Sequence, residues 1–245
     1  MDKRIENEIK HGLYIVEKGE DVWNWSSSAG IKRWQRRAGM FISFLGNNKK
    51  NVLEIGCGTG LFTKELAKTD NKIIAIDISR ELIEKAQKKL LGLDNVLFKI
   101  ENAYNTSFEN NYFDFIVGSS ALHHLEVDAA LKEFFRLLKP GGQLMFTEPN
   151  MLNPQIFLQK NIPFLKKLAG DSPDETAFLK RPLVKKMSSS GFTDIIINPF
   201  DFLHPAIPKP LIPLFEKMSF VFERLTILKE IAGSLLITAK KPVKD

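Results

Sequence analysis

The sequence predicts a doubly wound α/β domain, on three observations. Short apolar runs alternate with amphipathic helical patterns between residues 50 and 150, the order that builds a sheet covered by helices on both faces. The first apolar run, Val52, Leu53 and Ile55, ends in glycines at alternate positions, Gly56, Gly58 and Gly60. The segment Leu61-Phe62-Thr63-Lys64-Glu65-Leu66-Ala67 then carries apolar residues at helical spacing, so the stretch reads strand, tight turn, helix. Glycines there let the backbone turn sharply and approach a ligand, with the N–H groups of a helix N-terminus aimed at it. A nucleotide-type ligand at the carboxyl end of the first strand is the natural reading.

Taken in order, residues 1–46 form an N-terminal extension of two helical patterns around an aromatic centre, Asp21 to Gly30, and all three tryptophans lie between positions 23 and 34. The doubly wound domain occupies 47–245. Its second strand, Lys72 to Ile76, ends in Asp77, and a helix follows from Arg80 to Leu91, with apolar stripe and charged face. Val96 to Ile100 is the third strand, and Val127 to Leu138 another amphipathic helix. One helical pattern runs from Pro154 to Leu168, ahead of a polar loop, 170–175. Pro182 to Ser190 reads as a helix stopped by Gly191. Thr193 to Asn198 and Ser234 to Lys240 are the last strands, separated by an insertion at 200–233.

The loop discriminates among nucleotides. A dinucleotide fingerprint, G-x-G-x-x-G, needs glycine at 61, where leucine stands. Glu54, inside the strand, would repel a pyrophosphate but suits a cationic ligand. Asp77, at the end of the second strand, can accept from two ribose hydroxyls. E-x-G-x-G-x-G followed by a strand-terminal Asp resembles the class I S-adenosylmethionine (SAM)-dependent methyltransferases, particularly the small-molecule group that includes the ubiquinone and sterol methylases. Glu101-Asn102-Ala103 matches that family's adenine-edge position, with Asn102 in place of the commoner Asp. Tyr112 to Leu125 resembles its fourth strand and following turn, and Leu137-Leu138-Lys139-Pro140-Gly141-Gly142 its turn into the fifth strand. Five landmarks in register across 51 to about 150 make the resemblance specific.

The resemblance implies a Rossmann-like, seven-stranded sheet, mostly parallel with an antiparallel last strand, accompanied here by the N-terminal helical extension and a helical insertion before that strand. It implies SAM as cofactor and S-adenosylhomocysteine as product. Gly56, Gly58 and Gly60, with Cys57 and Thr59 between them, would close over SAM, and Glu54 would hold the loop and the cationic methionine end. Asp77 would bind the ribose, with Ile78 beside the adenine and Asn102 and Ala103 at its edge. Gly118 and Ser119 would lie near the methionine moiety. For Asp77 a helix cap is the alternative, and Ser79 competes for that role.

Because the SAM methyl is already activated, such an enzyme mainly aligns a nucleophile and excludes water, without a metal. His123 is the leading candidate for a base, and a turn histidine bonded to backbone is its alternative. Glu148 is a second candidate, able to bind an amine, assist a hydroxyl or orient a loop. Cys57 is explained by the space between two glycines rather than by nucleophilic chemistry.

Composition narrows the classes further. A chain of 245 residues with 44% hydrophobic content can bury one large core. One cysteine and four histidines, without zinc spacing, argue against a disulfide scaffold or a metal site. No run approaches a membrane span and the start shows no signal-peptide pattern, so a cytoplasmic location is expected, with peripheral membrane contact open. The net charge of +6 is concentrated in clusters such as Lys32, Arg33, Arg36 and Arg37. These are read as solvated helix faces, and no nucleic-acid-binding module accompanies them.

The leading function is methyl transfer to a small or lipid-like, apolar acceptor. A non-catalytic SAM-binding regulator and a nicotinamide-dependent oxidoreductase are the competitors; Leu61 and Glu54 weigh against the latter. Trp23 and Trp25, with Arg36 or Arg37 reaching the methionine carboxylate, are expected either to close over the cofactor or to anchor the extension. The 200–233 insertion combines a proline-rich start with apolar residues at helical spacing from Leu211 to Leu228. It is expected to cover an apolar substrate, with a membrane surface as the alternative.

Overall fold

The computed structural model describes residues 3–19 and 24–243. Seven strands form one sheet: β1 (Asn51–Ile55), β2 (Lys72–Asp77), β3 (Val96–Ile100), β4 (Phe113–Ser119), β5 (Leu138–Pro149), β6 (Thr193–Phe200) and β7 (Ser234–Lys240). Their order is β3-β2-β1-β4-β5-β7-β6. Strands β1 to β5 pair in parallel, and β7 runs antiparallel to both of its neighbours. This is the predicted seven-stranded, mostly parallel sheet.

Helices α1 (Lys3–Lys18) and α2 (Ser28–Leu45) precede the sheet; α3 (Leu61–Leu66), α4 (Arg80–Lys89) and α5 (Val127–Leu137) cross over between strands. Helices α6 (Pro154–Asn161), α7 (Pro163–Leu168) and α8 (Lys180–Ser189) lie between β5 and β6, and α9 (Ile212–Phe222) lies between β6 and β7. Strand β1 reads as a nearly unbroken apolar run because helices cover both of its faces. Phe134, Phe146 and Leu131 pack on one face of the sheet. Phe41, Leu45, Val52 and Ile83 pack on the other. Each such side chain contributes about 1.5–3 kcal/mol through burial.

Three local readings are corrected. The expected helix from Pro154 to Leu168 is two helices. Pro163 lacks an N–H, and its ring holds Ile162 in an extended conformation (φ −102°, ψ 112°). The Lys139–Gly142 turn lies inside β5: the register jumps from Phe113 opposite Leu138 to Phe115 opposite Gln143, so the extra residues form an irregularity within the ladder. The helix in the insertion stops at Phe222, and Leu228–Ile231 forms only a 3₁₀ turn.

The N-terminal helices are held close to the sheet's carboxyl edge. Helix α1 crosses α4 so tightly that a Cβ on Gly12 would come within 2.7 Å of the Ser79 side chain. Helix α2 is capped by Ser27, whose Oγ accepts from Gly30 N at 2.9 Å.

Candidate active site

A cavity of about 580 Å³ opens at the carboxyl ends of the strands, where the sheet order reverses between β1 and β4. The glycine loop and the ends of β2 and β4 form one wall; α1, the start of α2, α6–α7 and the segment 202–205 form the others. Of the predicted site residues, Glu54, Gly56, Cys57, Gly58, Thr59, Asp77, Ile78, Asn102, Ala103, Ser119 and His123 line this cavity. Gly60, Gly118 and Glu148 stand behind it. A Cβ on Gly60 would meet Leu90, and one on Gly118 would collide with the Phe146 ring at 2.4 Å. These two glycines serve close packing rather than the cavity wall.

At the loop, Asp77 Oδ2 accepts from Gly58 N at 3.0 Å and Oδ1 from Ser79 N at 2.9 Å. Ser79 is the helix cap, its Oγ accepting from Leu82 N. Asp77 therefore ties the loop to the second strand while facing the cavity. Burial raises its carboxyl above the ordinary value against the pull of those two N–H groups. Gly58 sits at φ +53°, and a Cβ there would project into open space. Glu54 is buried, and its Oε2 has no hydrogen-bond partner. Burial, reinforced by the Asp77 charge, pushes its carboxyl up to about 7. Burial likewise pushes the Cys57 thiol well up, with the Asp77 and Glu54 charges adding to it, which keeps it protonated and unreactive.

Where α1 closes the cavity, three of the four histidines gather, His11, His123 and His124. His123 Nδ1 lies 2.5 Å from Glu148 Oε2, and its Nε2 lies 3.2 Å from Glu175 Oε1. Burial opposes a charge on this ring, but the Glu148 and Glu175 carboxylates outweigh it and raise His123 to about 9. Both ring nitrogens are occupied and the ring is protonated near neutrality. In this arrangement His123 holds a proton and is not poised to take one. Glu148 is spent likewise: its oxygens also accept from the backbone N–H groups of Ala121, Leu122 and His123, fixing the turn after β4. The loop-orienting alternative describes its contacts.

His124 is placed differently. Its Nδ1 lies in ion-pair range of two carboxylates, 2.9 Å from Glu8 Oε2 on α1 and 4.0 Å from Glu175 Oε2, and the ring borders the cavity. Burial favours the neutral form of Glu8, yet His124 and Ser172 hold it below its ordinary value. His11, one turn along α1, stacks near His124 with ring centroids 5.6 Å apart, and burial, then the His124 charge, lowers it. Ligand atoms of His123, His124 and Glu175 fall within 4.8 Å of one another, a spacing a divalent ion can bridge. The Lys160 ammonium already supplies a cation there, 2.5 Å from Glu175 and 2.9 Å from Asp171.

A third group surrounds Arg37. Its guanidinium donates to Ser120 Oγ at 3.1 Å and Ser234 Oγ at 2.7 Å, lies over the Trp25 ring at 5.0 Å, and leaves Nε buried without a partner. Burial and neighbouring Arg33 lower it to about 10, so it stays charged at neutral pH. Asp201, 2.7 Å from Arg33 Nε, is the carboxylate nearest this pair. Ser120 and Asp201 both adopt positive φ (55° and 74°), backbone strain of the kind that collects at functional sites. Arg36 is turned away into a bidentate pair with Glu223 at 2.7 and 2.6 Å. Of the two tryptophans expected at the cofactor, Trp25 lines the cavity and Trp23 lies outside the described residues.

Glu8, His11, Lys160, Asp171 and Glu175 escaped the sequence reading. The signal for α1 was available: Arg4, Glu8, His11 and Ile15 recur at three- and four-residue spacing, a polar stripe that passes for a solvated face. Nothing in the spacing of 160, 171 and 175 announces their convergence.

Known proteins agree with this arrangement. A methyltransferase-domain family profile matches residues 52–142. The chain is 32% identical over 216 residues to the ubiquinone/menaquinone biosynthesis C-methyltransferase UbiE of Hydrogenovibrio crunogenus, covering 77% of this chain and 84% of that one. It is 25% identical over 221 residues to demethylmenaquinone methyltransferase of Staphylococcus saprophyticus, covering 81% of this chain and 94% of the other. Among solved structures, phosphoethanolamine N-methyltransferase 2 of Haemonchus contortus, in complex with S-adenosylhomocysteine, superposes with a TM-score of 0.62 at 15% identity. The match covers 86% of this chain but spans only about half (53%) of that longer chain. Sheet order, glycine loop and sequence relatives converge: the chain is an enzyme that belongs to the class I SAM-dependent methyltransferases.

Proposed function

We propose that this enzyme transfers the SAM methyl group to a ring carbon of a hydroxylated, lipid-like acceptor of quinol type. One observation carries the reading. A single cavity joins the glycine loop and Asp77 to a histidine–carboxylate cluster and opens between apolar helices. The quinone-ring methylases among its relatives supply the acceptor class.

The residues fit SAM. Glu54 offers a buried carboxylate oxygen without a partner to the methionine ammonium, and Arg37 offers its free Nε toward the carboxylate. Asp77 would accept from the ribose hydroxyls, and Ile78, Asn102 and Ala103 would meet the adenine; all four line the cavity. When bound, SAM supplies an activated methyl for in-line displacement. The chain's part is then alignment, exclusion of water and proton handling. His124, oriented by Glu8, takes the proton from the acceptor hydroxyl, which raises the nucleophilicity of the adjacent ring carbon. Once the methyl is on that carbon and the sulfur keeps the electron pair of the broken bond, the carbon gives up its hydrogen as a proton. The hydroxyl is restored and the ring regains aromaticity, one proton being released per methyl transferred. The dyad is assembled from two places, the turn after β4 and helix α1, so α1 completes the site.

Two measurements follow. Purified enzyme with radiolabelled SAM should methylate short-chain naphthoquinols and benzoquinols, and should not methylate the same rings with both hydroxyls blocked; equal transfer to the blocked compounds would remove the proton-transfer step. SAM affinity should also depend on pH through Glu54. With its carboxyl near 7, the free site is protonated below that pH, and the ammonium needs the ionised form. Affinity should therefore rise by up to about tenfold per unit as pH climbs toward 7 and level off above it. Calorimetry in buffers of different ionisation enthalpy should register a released proton near pH 6.5. An affinity flat from pH 6 to 8 would separate Glu54 from the ligand.

A further inference from the structure

Helix α9 is apolar on both sides. Ile212, Phe215, Ser219 and Phe222 turn inward at three- and four-residue spacing, and Leu214, Met218 and Val221, with Leu225 just beyond the helix end, repeat that spacing outward. The outward set is 36–55% exposed. A helix apolar all round is normally covered on all sides, and here the inward side packs on Ala29 and Leu203 while the outward row stays exposed. Helices α6 and α7, which share the cavity with the segment leading into α9, are exposed in the same way. Neither contains a buried residue, and Phe164 and Leu168 are 72% and 74% exposed. The two segments touch: Asn153 donates to Ile231 O, and Gln155 lies 2.7 Å from His204. The apolar surface therefore flanks the mouth of the cavity from two sides.

Charge decides what covers it. The acids of the insertion would argue against an anionic surface if they faced outward unpaired. Each is instead matched by a base from the body of the fold: Asp201 by Arg33, Glu216 by Lys32, Glu223 by Arg36 and Glu230 by Lys180. Segment 152–170 carries no acid at all. Lys167, Lys209, Lys217 and Arg224 remain exposed around the apolar stripe, long side chains whose stems can lie along lipid while their heads reach phosphate. A second copy of this chain would present the same basic fringe and repel it.

We infer that α6–α7 and α9 together seat this enzyme on an anionic lipid bilayer, with the cavity mouth facing the membrane interface. No helix among the described residues is long and apolar enough to cross a membrane, so the contact is interfacial. The inference draws on the lipid-like acceptor proposed above only for its purpose. Binding to vesicles requires neither acceptor nor turnover, so it can fail or succeed apart from that reading.

The test is co-sedimentation of the full chain with vesicles of phosphatidylcholine alone or with about one-third phosphatidylglycerol. Wild type should bind the anionic vesicles at least about tenfold more tightly than the neutral ones, and binding should weaken as salt rises. Leu214→Glu/Val221→Glu and Phe157→Glu/Phe164→Glu, exposed positions outside the cavity lining, should each reduce binding at least about tenfold, while SAM affinity, read by calorimetry, stays at the wild-type value and certifies the fold. Wild-type protein that ignores both vesicles, or glutamate variants that bind like wild type, would overturn the inference. So would a wild-type dimer in solution that the Leu214→Glu/Val221→Glu variant converts to monomer, since a second copy would then be the cover.

Discussion

His124→Gln should lower kcat by about two to four orders of magnitude, the usual contribution of a positioned general base, and leave SAM affinity unchanged within about twofold. The physical basis is a difference between adjacent residues. His123 is clamped through both ring nitrogens by two carboxylates and carries a proton near neutrality, whereas His124 meets Glu8, and Glu175 at 4.0 Å, through Nδ1 alone and borders the cavity. Glu8→Gln should cost less, roughly tenfold, because the imidazole keeps a neighbour while losing the charge that stabilises it when protonated. Single-turnover transfer of a radiolabelled methyl measures both. Chemical rescue is the second readout: added imidazole should restore part of the rate to a His124→Ala enzyme. A His124→Gln enzyme with wild-type kcat would refute the assignment.

Asp77→Ala should weaken SAM binding by about one to three orders of magnitude. Hydrogen bonds to a charged acceptor are worth roughly 1.5–3 kcal/mol each, and about 1.4 kcal/mol corresponds to tenfold in affinity. Two effects share the loss: the acceptor for the ribose hydroxyls goes, and so do the contacts that Gly58 N and Ser79 N make with this carboxylate. Asp77→Asn separates them. Its amide keeps a neutral acceptor for the loop but loses the charge, so it should fall between wild type and alanine. Calorimetric titration, with circular dichroism to verify folding, reads all three. A folded Asp77→Ala protein with normal SAM affinity would place the ribose elsewhere.

Most of the sheet was legible because its signals are local. A parallel strand buried on both faces must be an apolar run, and the turn after β1 must be glycine-rich to reach positive φ, so residues 51–60 specify their own geometry. The strand-terminal Asp77 was legible for the same reason: its place at the cavity follows from where the strand ends. Local signals also misled where a neighbour overrules them. Pro163 broke a periodicity that looked continuous, and the Gly141-Gly142 pair was absorbed into β5 by its ladder with β4.

The acid–base end of the cavity belongs to the tertiary structure. His123 and His124 are adjacent in sequence and chemically equivalent there; only the fold sets Glu148 and Glu175 against one and Glu8 against the other. Arg36 and Arg37 divide in the same way, one paired with Glu223 on the insertion and the other buried under Trp25 with an unpaired Nε. Periodicity records which face of a helix is apolar. It carries no information about which distant carboxylate will lie within 3 Å of a given ring, because that distance depends on how α1, β5 and the 170–175 loop pack together. Residues 51–77 specify their cradle on a doubly wound sheet from local signals alone. The carboxylates set against His123 and His124, and the outward apolar face of α9, were decided by packing that joins side chains distant in sequence, 25 residues apart for His123 and Glu148 and 187 for Arg36 and Glu223.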